Sequence, residues 1–322
     1  MSAVVVEEED CSAHQPRAHA APRPRQLRKG HSRRAEPHRV ERRRSGRGNS
    51  REQSVGADSA HSRACRKDER MNGFERHQID HLSASSLNLW RNAPDVWVTR
   101  YLLDRRTPFG PAMERGKAVE LALVSALRGE DMEAATDRAL KSFDDVWTFE
   151  TADKPEAIAK ERALIAPMTE VAFAALEDHG EPSFDADQQH KVSITAKGDG
   201  WSIPVIGFLD LVYPDHGLVV DLKTTQRIPS VMSLEHQVQR AIYAKAKDNH
   251  AVRFLYVSDK KAAWREDGDP AEILRHLKTE ITRLEAFLRR HSADEAVACV
   301  PVNVGSFYWR GAEALRSEIY GL

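Results

Sequence analysis

Trp201-Ser202-Ile203-Pro204-Val205-Ile206-Gly207-Phe208-Leu209-Asp210-Leu211-Val212-Tyr213, then Pro214-Asp215-His216-Gly217, then Leu218-Val219-Val220-Asp221-Leu222-Lys223-Thr224-Thr225: the reading of this stretch decides the fold. The first run is rich in apolar, β-branched and aromatic residues, which fit a strand. The middle segment supplies turn residues, and the third run is a second short apolar strand. A hairpin through residues 214–217 brings Asp210 close to Asp221. Side chains alternate along a strand, so Asp221 and Lys223 point to one face while Leu222 points to the other, into the core.

Two carboxylates held close together repel unless something neutralises them. A hard divalent cation with oxygen ligands does so, and Mg²⁺ or Mn²⁺ is the natural choice. Such an ion holds a phosphate oxygen and lowers the pKa of a bound water. Lys223, on the same face as Asp221, is placed to orient that water or to stabilise charge on phosphorus. An acid on one strand and an acid-x-lysine on the next is thus the minimum kit for metal-dependent hydrolysis of a phosphodiester. The competing reading is a solvated strand edge, where an Asp-x-Lys pair is commonplace. Both acids interrupt strongly apolar runs, where an unpaired carboxylate is costly to bury. The spacing by itself leaves the two readings open.

Sixteen residues beyond Lys223 comes Gln239-Arg240-Ala241-Ile242-Tyr243. With Gly207–Asp210 and Asp221–Thr224, this set resembles the PD-(D/E)xK nuclease superfamily in its RecB-like branch, which carries a Gln-x-x-x-Tyr element on the helix after the core strands. Two upstream pieces are similar to the same branch. Leu82-Ser83-Ala84-Ser85-Ser86-Leu87-Asn88-Leu89-Trp90 looks like its opening helix, and Met113-Glu114-Arg115-Gly116-Lys117-Ala118-Val119-Glu120 like the next. The resemblance covers roughly residues 81–310.

The resemblance implies an α/β fold, with a central mixed sheet flanked by helices (a restriction-endonuclease-like core) and a helical N-terminal region. It implies a Mg²⁺- or Mn²⁺-dependent deoxyribonuclease, an exonuclease of DNA recombination, repair or phage DNA processing. The metal ligands would be Asp210, Asp221 and the carbonyl of Leu222, with Glu120 a further ligand or an acid behind them. Lys223 would be the catalytic lysine, and Gln239 and Tyr243, four apart on one helix face, would support the site and touch the DNA backbone. Many members carry His where Glu120 stands. Read from the residues alone, Glu120 also suits the surface of an amphipathic helix, Tyr243 an ordinary core aromatic, and His236 a solvated helix position. A catalytically silent DNA-binding or assembly subunit of the same fold is the alternative function. The complete acid, acid and lysine set speaks against it.

Several relatives hold an iron–sulfur cluster on four cysteines. This chain has three, Cys11, Cys65 and Cys299, so four-thiolate ligation is excluded and no cluster is expected. Unpatterned, scarce cysteines suit a reducing compartment, and a cytoplasmic location is expected. No run approaches the roughly 20 apolar residues of a membrane span. There is no phosphate loop of the Gly-x-x-x-x-Gly-Lys-Ser/Thr form, so any ATP-driven unwinding would come from a helicase or recombination partner.

Composition shifts sharply near Met71. Residues 1–70 hold 17 Lys and Arg against 10 Asp and Glu, a balance of +7; the whole chain is at −1, so residues 71–322 carry −8. The first segment is rich in Arg, Pro, Ser and His and has almost no apolar periodicity, so it cannot bury enough apolar surface to offset ordering entropy. We expect a disordered basic tail over 1–70, or a start placed upstream of a native Met71, followed by a single nuclease domain over 71–322. Helices are expected at 85–92, 94–104, 111–128, 131–147, 154–178, 230–248, 270–291 and 310–319. Strands are expected at 186–196, 201–213, 217–224, 252–257 and 261–264. Arg100, Arg105, Arg106, Arg115 and Lys117 near the opening helices are candidate phosphate contacts, each also suited to a solvated surface.

Overall fold

A computed structural model describes residues 71–108, 110–147, 155–183, 190–194, 201–247 and 250–322. All of them belong to one of the chain's two compact units, the one holding Met71–Leu322. The expectation for residues 1–70 lies outside the described residues, as do Cys11 and Cys65.

Four helices and a short strand lead the fold: α1 (Gly73–Arg76), β1 (Leu82–Ser83), α2 (Ala84–Asn92), α3 (Pro94–Tyr101) and α4 (Pro111–Leu127). Pro94 and Pro111 open their helices, where a missing N–H costs nothing. Three helices follow: α5 (Met132–Asp144), α6 (Pro155–Arg162) and α7 (Ile165–Leu176). The expected single helix over 154–178 is therefore two. Pro167 explains the break, because its ring excludes the carbonyl of Ala163 from a continuous helical ladder. Then come β2 (His190–Ile194), β3 (Val205–Leu209), β4 (Leu211–Tyr213), β5 (Leu218–Thr224), α8 (Leu234–Ala246), β6 (Ala251–Val257) and β7 (Ala262–Arg265). The chain closes with α9 (Pro270–Arg290), α10 (Ala293–Cys299) and α11 (Glu313–Tyr320). Three of these elements, α1, β1 and α10, are not among those the sequence predicts.

The strands form two sheets, ordered β1-β3-β2 and β4-β5-β6-β7. The long apolar run 201–213 serves both: β3 joins the first sheet, β4 the second, and the chain bends between them at Asp210. β4 pairs antiparallel to β5, with Leu211 opposite Val220. Continued one step, that ladder would give the N–H of Leu222 to the carbonyl of Leu209. Instead it goes to Oδ2 of Asp210 at 2.8 Å. A side chain thus replaces the main chain at the point where the strand leaves. The fold is α/β with mixed sheets flanked by helices, and among the described residues the strands fall in two sheets.

β5 runs parallel to β6 with α8 as the crossover, and β6 is antiparallel to β7. Leu218, Val220 and Leu222 sit in a core with Ala118, Val119 and Leu123 of α4 and Ile165 and Met168 of α7. Val219 on the other face joins Val238 and Ile242 of α8, Leu277 and Leu284 of α9, and Leu87 and Trp97 of the opening helices. Asp221 and Lys223 fall in the same alternation as Val219, so they share the face that α8 covers. Among the described residues no helix is long and apolar enough to cross a membrane.

Candidate active site

Asp221 is fully buried and held from two directions. Oδ2 accepts a hydrogen bond from Gln239 Nε2 at 2.8 Å, and Oδ1 forms an ion pair with the Lys223 ammonium. Gln239 Nε2 also donates to the Tyr243 hydroxyl at 2.7 Å, and that hydroxyl donates to the carbonyl of Phe208. A single chain of bonds therefore ties β5, α8 and β3 together around one carboxylate. Tyr243 is buried, with its ring against β3. A Cβ on Gly207 would lie 2.5 Å from Tyr243 Cε1, which explains why a glycine, and no β-branched residue, stands in the middle of β3. Asp210 arrives from the β4 edge of β5 through its bond to Leu222.

The electrostatics follow from this crowding. Burial, and then the charges of Asp221 and Glu120, push the Asp210 carboxyl well above the usual carboxylate range. Burial raises Asp221 as well, opposed by Lys223. Burial alone would lower the Lys223 ammonium, but Asp221, Asp210 and Glu120 together outweigh it and raise it. Two acids held above their ordinary values and one lysine held charged form a site that favours added positive charge.

These residues open onto a cleft of about 590 Å³, lined also by Glu120, Leu222, Ser83, Arg100, Lys117 and His236. Glu120 is half-buried on α4, near enough for its charge to act on Asp210 and Lys223. Among the described residues no trio of His, Cys, Asp or Glu side chains closes up as a metal cage. The innermost donors are the two aspartates. Their all-oxygen chemistry, mutual repulsion and shared edge of β5 fit a hard divalent cation.

Several surface assignments change. Arg115 is buried, ion-paired with Glu161, and its Nη2 donates to the carbonyl of Thr224 at 3.2 Å. Gln226 Nε2 caps the other oxygen of Glu161 at 2.8 Å. This arginine therefore clamps α4 and α6 to the end of β5 and is no phosphate contact. Gly116 lets the clamp close, since a Cβ there would stand 3.3 Å from Thr224 Oγ1. Arg105 pairs with Glu318 through bonds of 3.0 and 2.9 Å, and Arg106 is exposed away from the cleft lining. Arg100 and Lys117 do line the cleft; Lys117 also pairs with Glu114 at 2.7 Å. His236 is not a solvated helix position: it is half-buried in the cleft wall, its Nδ1 bonded to the Tyr256 hydroxyl. Burial, with Lys223 adding, pushes its imidazole down to about 4. The signal for it was present in the sequence, because positions 236, 239 and 243 fall on one helical stripe. Tyr256 was invisible until the β5–β6 register placed it beside Lys223.

The profile of the PD-(D/E)XK nuclease superfamily matches residues 81–301. The chain belongs to that superfamily. The match takes in β1 through α10 and so contains Glu120, Asp210, Asp221, Lys223, Gln239 and Tyr243; Tyr308, which also lines the cleft, lies beyond it. No curated protein matches the sequence. Among solved structures this superfamily member is similar to the one titled "Crystal structure of SSO0001", at 13% identity, covering 58% of this chain and 86% of that one, with a TM-score of 0.30. That score is too low to bear on the architecture.

Proposed function

We propose that this chain is a divalent-metal-dependent DNA nuclease whose site is Asp210, Asp221, Lys223, Gln239 and Tyr243. The observation that carries the reading is the buried Asp221 carboxylate, fixed between Lys223 and Gln239 with the Asp210 carboxylate across the same strand edge. Asp210 and Asp221 would hold Mg²⁺ or Mn²⁺. The carbonyl of Leu222 would join them, because the N–H and C=O of a strand residue face one edge and its N–H already faces Asp210. Glu120, farther out, acts on the pair through its charge. When bound, the ion supplies a polarised phosphate oxygen and an acidified water.

The protein's own part is positioning and charge. Lys223, kept protonated by the surrounding acids, stabilises negative charge on the phosphate and orients the attacking water. Gln239 holds Asp221 in one rotamer, and Tyr243 holds Gln239. Both act through other groups, the Tyr243 hydroxyl by bridging Gln239 to the carbonyl of Phe208. On the likeness to the RecB-like branch we further propose an exonuclease of recombination, repair or phage DNA processing, acting in the cytoplasm beside a helicase or recombination partner.

The test uses end-labelled single-stranded, duplex and closed circular DNA with Mg²⁺, Mn²⁺ or chelator. Metal-dependent loss of linear DNA, sparing circles and absent in Asp221→Asn, is the expected result. Nicked circles would replace the exonuclease by an endonuclease. Cleavage by Asp221→Asn at the wild-type rate would overturn the site.

A further inference from the structure

His236 is a cleft residue that the reading above leaves without a task. It stands three residues before Gln239 and seven before Tyr243, on the stripe of α8 that faces the site. Its ring packs near those of Phe254 and Tyr256, with centroids 5.7 and 5.6 Å away. In the β5–β6 register these two aromatics are the partners of Asp221 and Lys223. The Lys223 ammonium itself sits 5.2 Å from the Phe254 ring centroid. The imidazole therefore shares the Phe254 ring with the lysine, whose charge acts on it. Nδ1 faces inward to Tyr256, which is buried. Nε2 is the nitrogen that remains for the cleft.

We propose, on the nuclease reading, that His236 is a substrate-binding residue: Nε2–H donates a hydrogen bond to a non-bridging oxygen of one DNA phosphate, beside the phosphate that Lys223 serves. Tyr256 fixes the tautomer by donating its hydroxyl proton to Nδ1, which puts the imidazole proton on Nε2. Burial holds the ring neutral, so it donates without repelling Lys223. The cleft's other acid on this side, Glu235, accepts a hydrogen bond from Asn92 Nδ2 at 2.9 Å, which blunts its repulsion of a phosphate. A purely structural histidine, bridging α8 to β6, would need only Nδ1.

The distinguishing experiment removes the charge from one DNA linkage at a time. Oligonucleotides carrying a single methylphosphonate at successive positions around the cleaved bond are assayed in Mg²⁺ with full-length wild type, His236→Ala, His236→Gln and Tyr256→Phe. Wild type should lose about ten- to a hundredfold in kcat/KM at one linkage, the size of a hydrogen bond to a charged group. His236→Ala should show that loss already on all-phosphate DNA, mainly in KM, and no further loss at that linkage. His236→Gln, which keeps a donor, should recover part of it, and Tyr256→Phe should fall between. Mn²⁺ affinity should be unchanged in all three. Losses that simply add at every linkage, or a His236→Ala that cleaves like wild type, would leave His236 structural and end the proposal. If His236→Ala does not fold, the Gln and Tyr256→Phe variants complete the same cycle with the same two outcomes. Wild type that neither binds nor cleaves DNA would instead remove the nuclease reading, and this inference with it.

Discussion

Gln239 donates its side-chain amide to Oδ2 of Asp221 across 2.8 Å, from a helix to the strand it covers. A carboxylate that is to bind a metal must be held without being neutralised, and a neutral amide donor does this where a second lysine would not. Residues behind metal ligands typically matter by about ten- to a hundredfold. We expect Gln239→Ala to lower cleavage by that factor with the fold intact. Gln239→Glu should be worse, because it sets a second carboxylate against Asp221. Single-turnover cleavage and Mn²⁺ titration of both variants check this; a Glu variant as active as wild type would show that the amide does not govern Asp221.

Gly207 and Tyr243 give a packing prediction. A methyl at position 207 would sit 2.5 Å from Tyr243 Cε1, against a ring that is itself buried. Overpacking of this kind costs about 1–3 kcal/mol. Gly207→Ala should lose that stability in urea unfolding and lose activity as well, since a displaced Tyr243 frees Gln239. Adding Tyr243→Leu should restore stability but not activity. If Gly207→Ala were as stable as wild type, the close approach of β3 and α8 would be less rigid than the contact implies.

The raised Asp210 carboxyl predicts how stability varies with pH when metal is chelated. A carboxyl whose folded pKa lies above its unfolded value binds its proton more tightly when folded. Above the unfolded value the unfolded state therefore gains stability relative to the folded one as pH rises, until the folded pKa is passed. Asp210→Asn keeps an oxygen for Leu222 and removes the charge. It should melt higher than wild type at pH 7 to 8 by at least about 2 °C, the shift expected for roughly 1 kcal/mol in a domain of this size. The gap should close as pH falls toward about 4, the ordinary carboxylate value. Saturating Mg²⁺ should narrow or reverse it by stabilising only the wild type. Calorimetry at three pH values with chelator decides, and a gap independent of pH would assign the effect to packing.

Much of this was legible in the sequence because strands have period two. Asp221 and Lys223 had to share a face, and Leu222 had to oppose them. The break at Asp210 was not legible, since apolar composition resumes at once from Leu209 to Leu211 and only the partner strand reveals that a side chain ends the ladder. Arg115 illustrates a different limit. On a helix an arginine beside a glycine looks solvated, and its partner Glu161 lies on another helix, out of reach of any local pattern. His236 had a local signal, its place on the Gln239–Tyr243 stripe, but its burial depends on Tyr256 and hence on a parallel register that sequence spacing does not fix.

The placement of Arg100 and Arg115 separates two roles by salt dependence. Each phosphate contact that releases a counterion adds about one to the slope of log affinity against log salt. Arg100 lines the cleft, so Arg100→Ala should lower the slope by about one. Arg115 is spent on Glu161 and Thr224. Arg115→Met should leave the slope unchanged while costing about 3–5 kcal/mol of stability, because Glu161 is left charged and buried. Fluorescence anisotropy of labelled DNA over a salt series reads both. A reduced slope in a folded Arg115→Met would return that residue to the DNA surface.

The same measurement tests the first seventy residues. We propose that they are dispensable for catalysis, on their composition and because every proposed site residue lies downstream of Met71. Their balance of +7 is the one feature that argues for a DNA arm, and an arm would act through counterion release. Full-length protein and a version starting at Met71 should therefore give equal salt slopes and equal cleavage rates. A flatter slope together with a several-fold loss of activity at moderate salt in the shorter version would show that the basic segment holds DNA against the cleft.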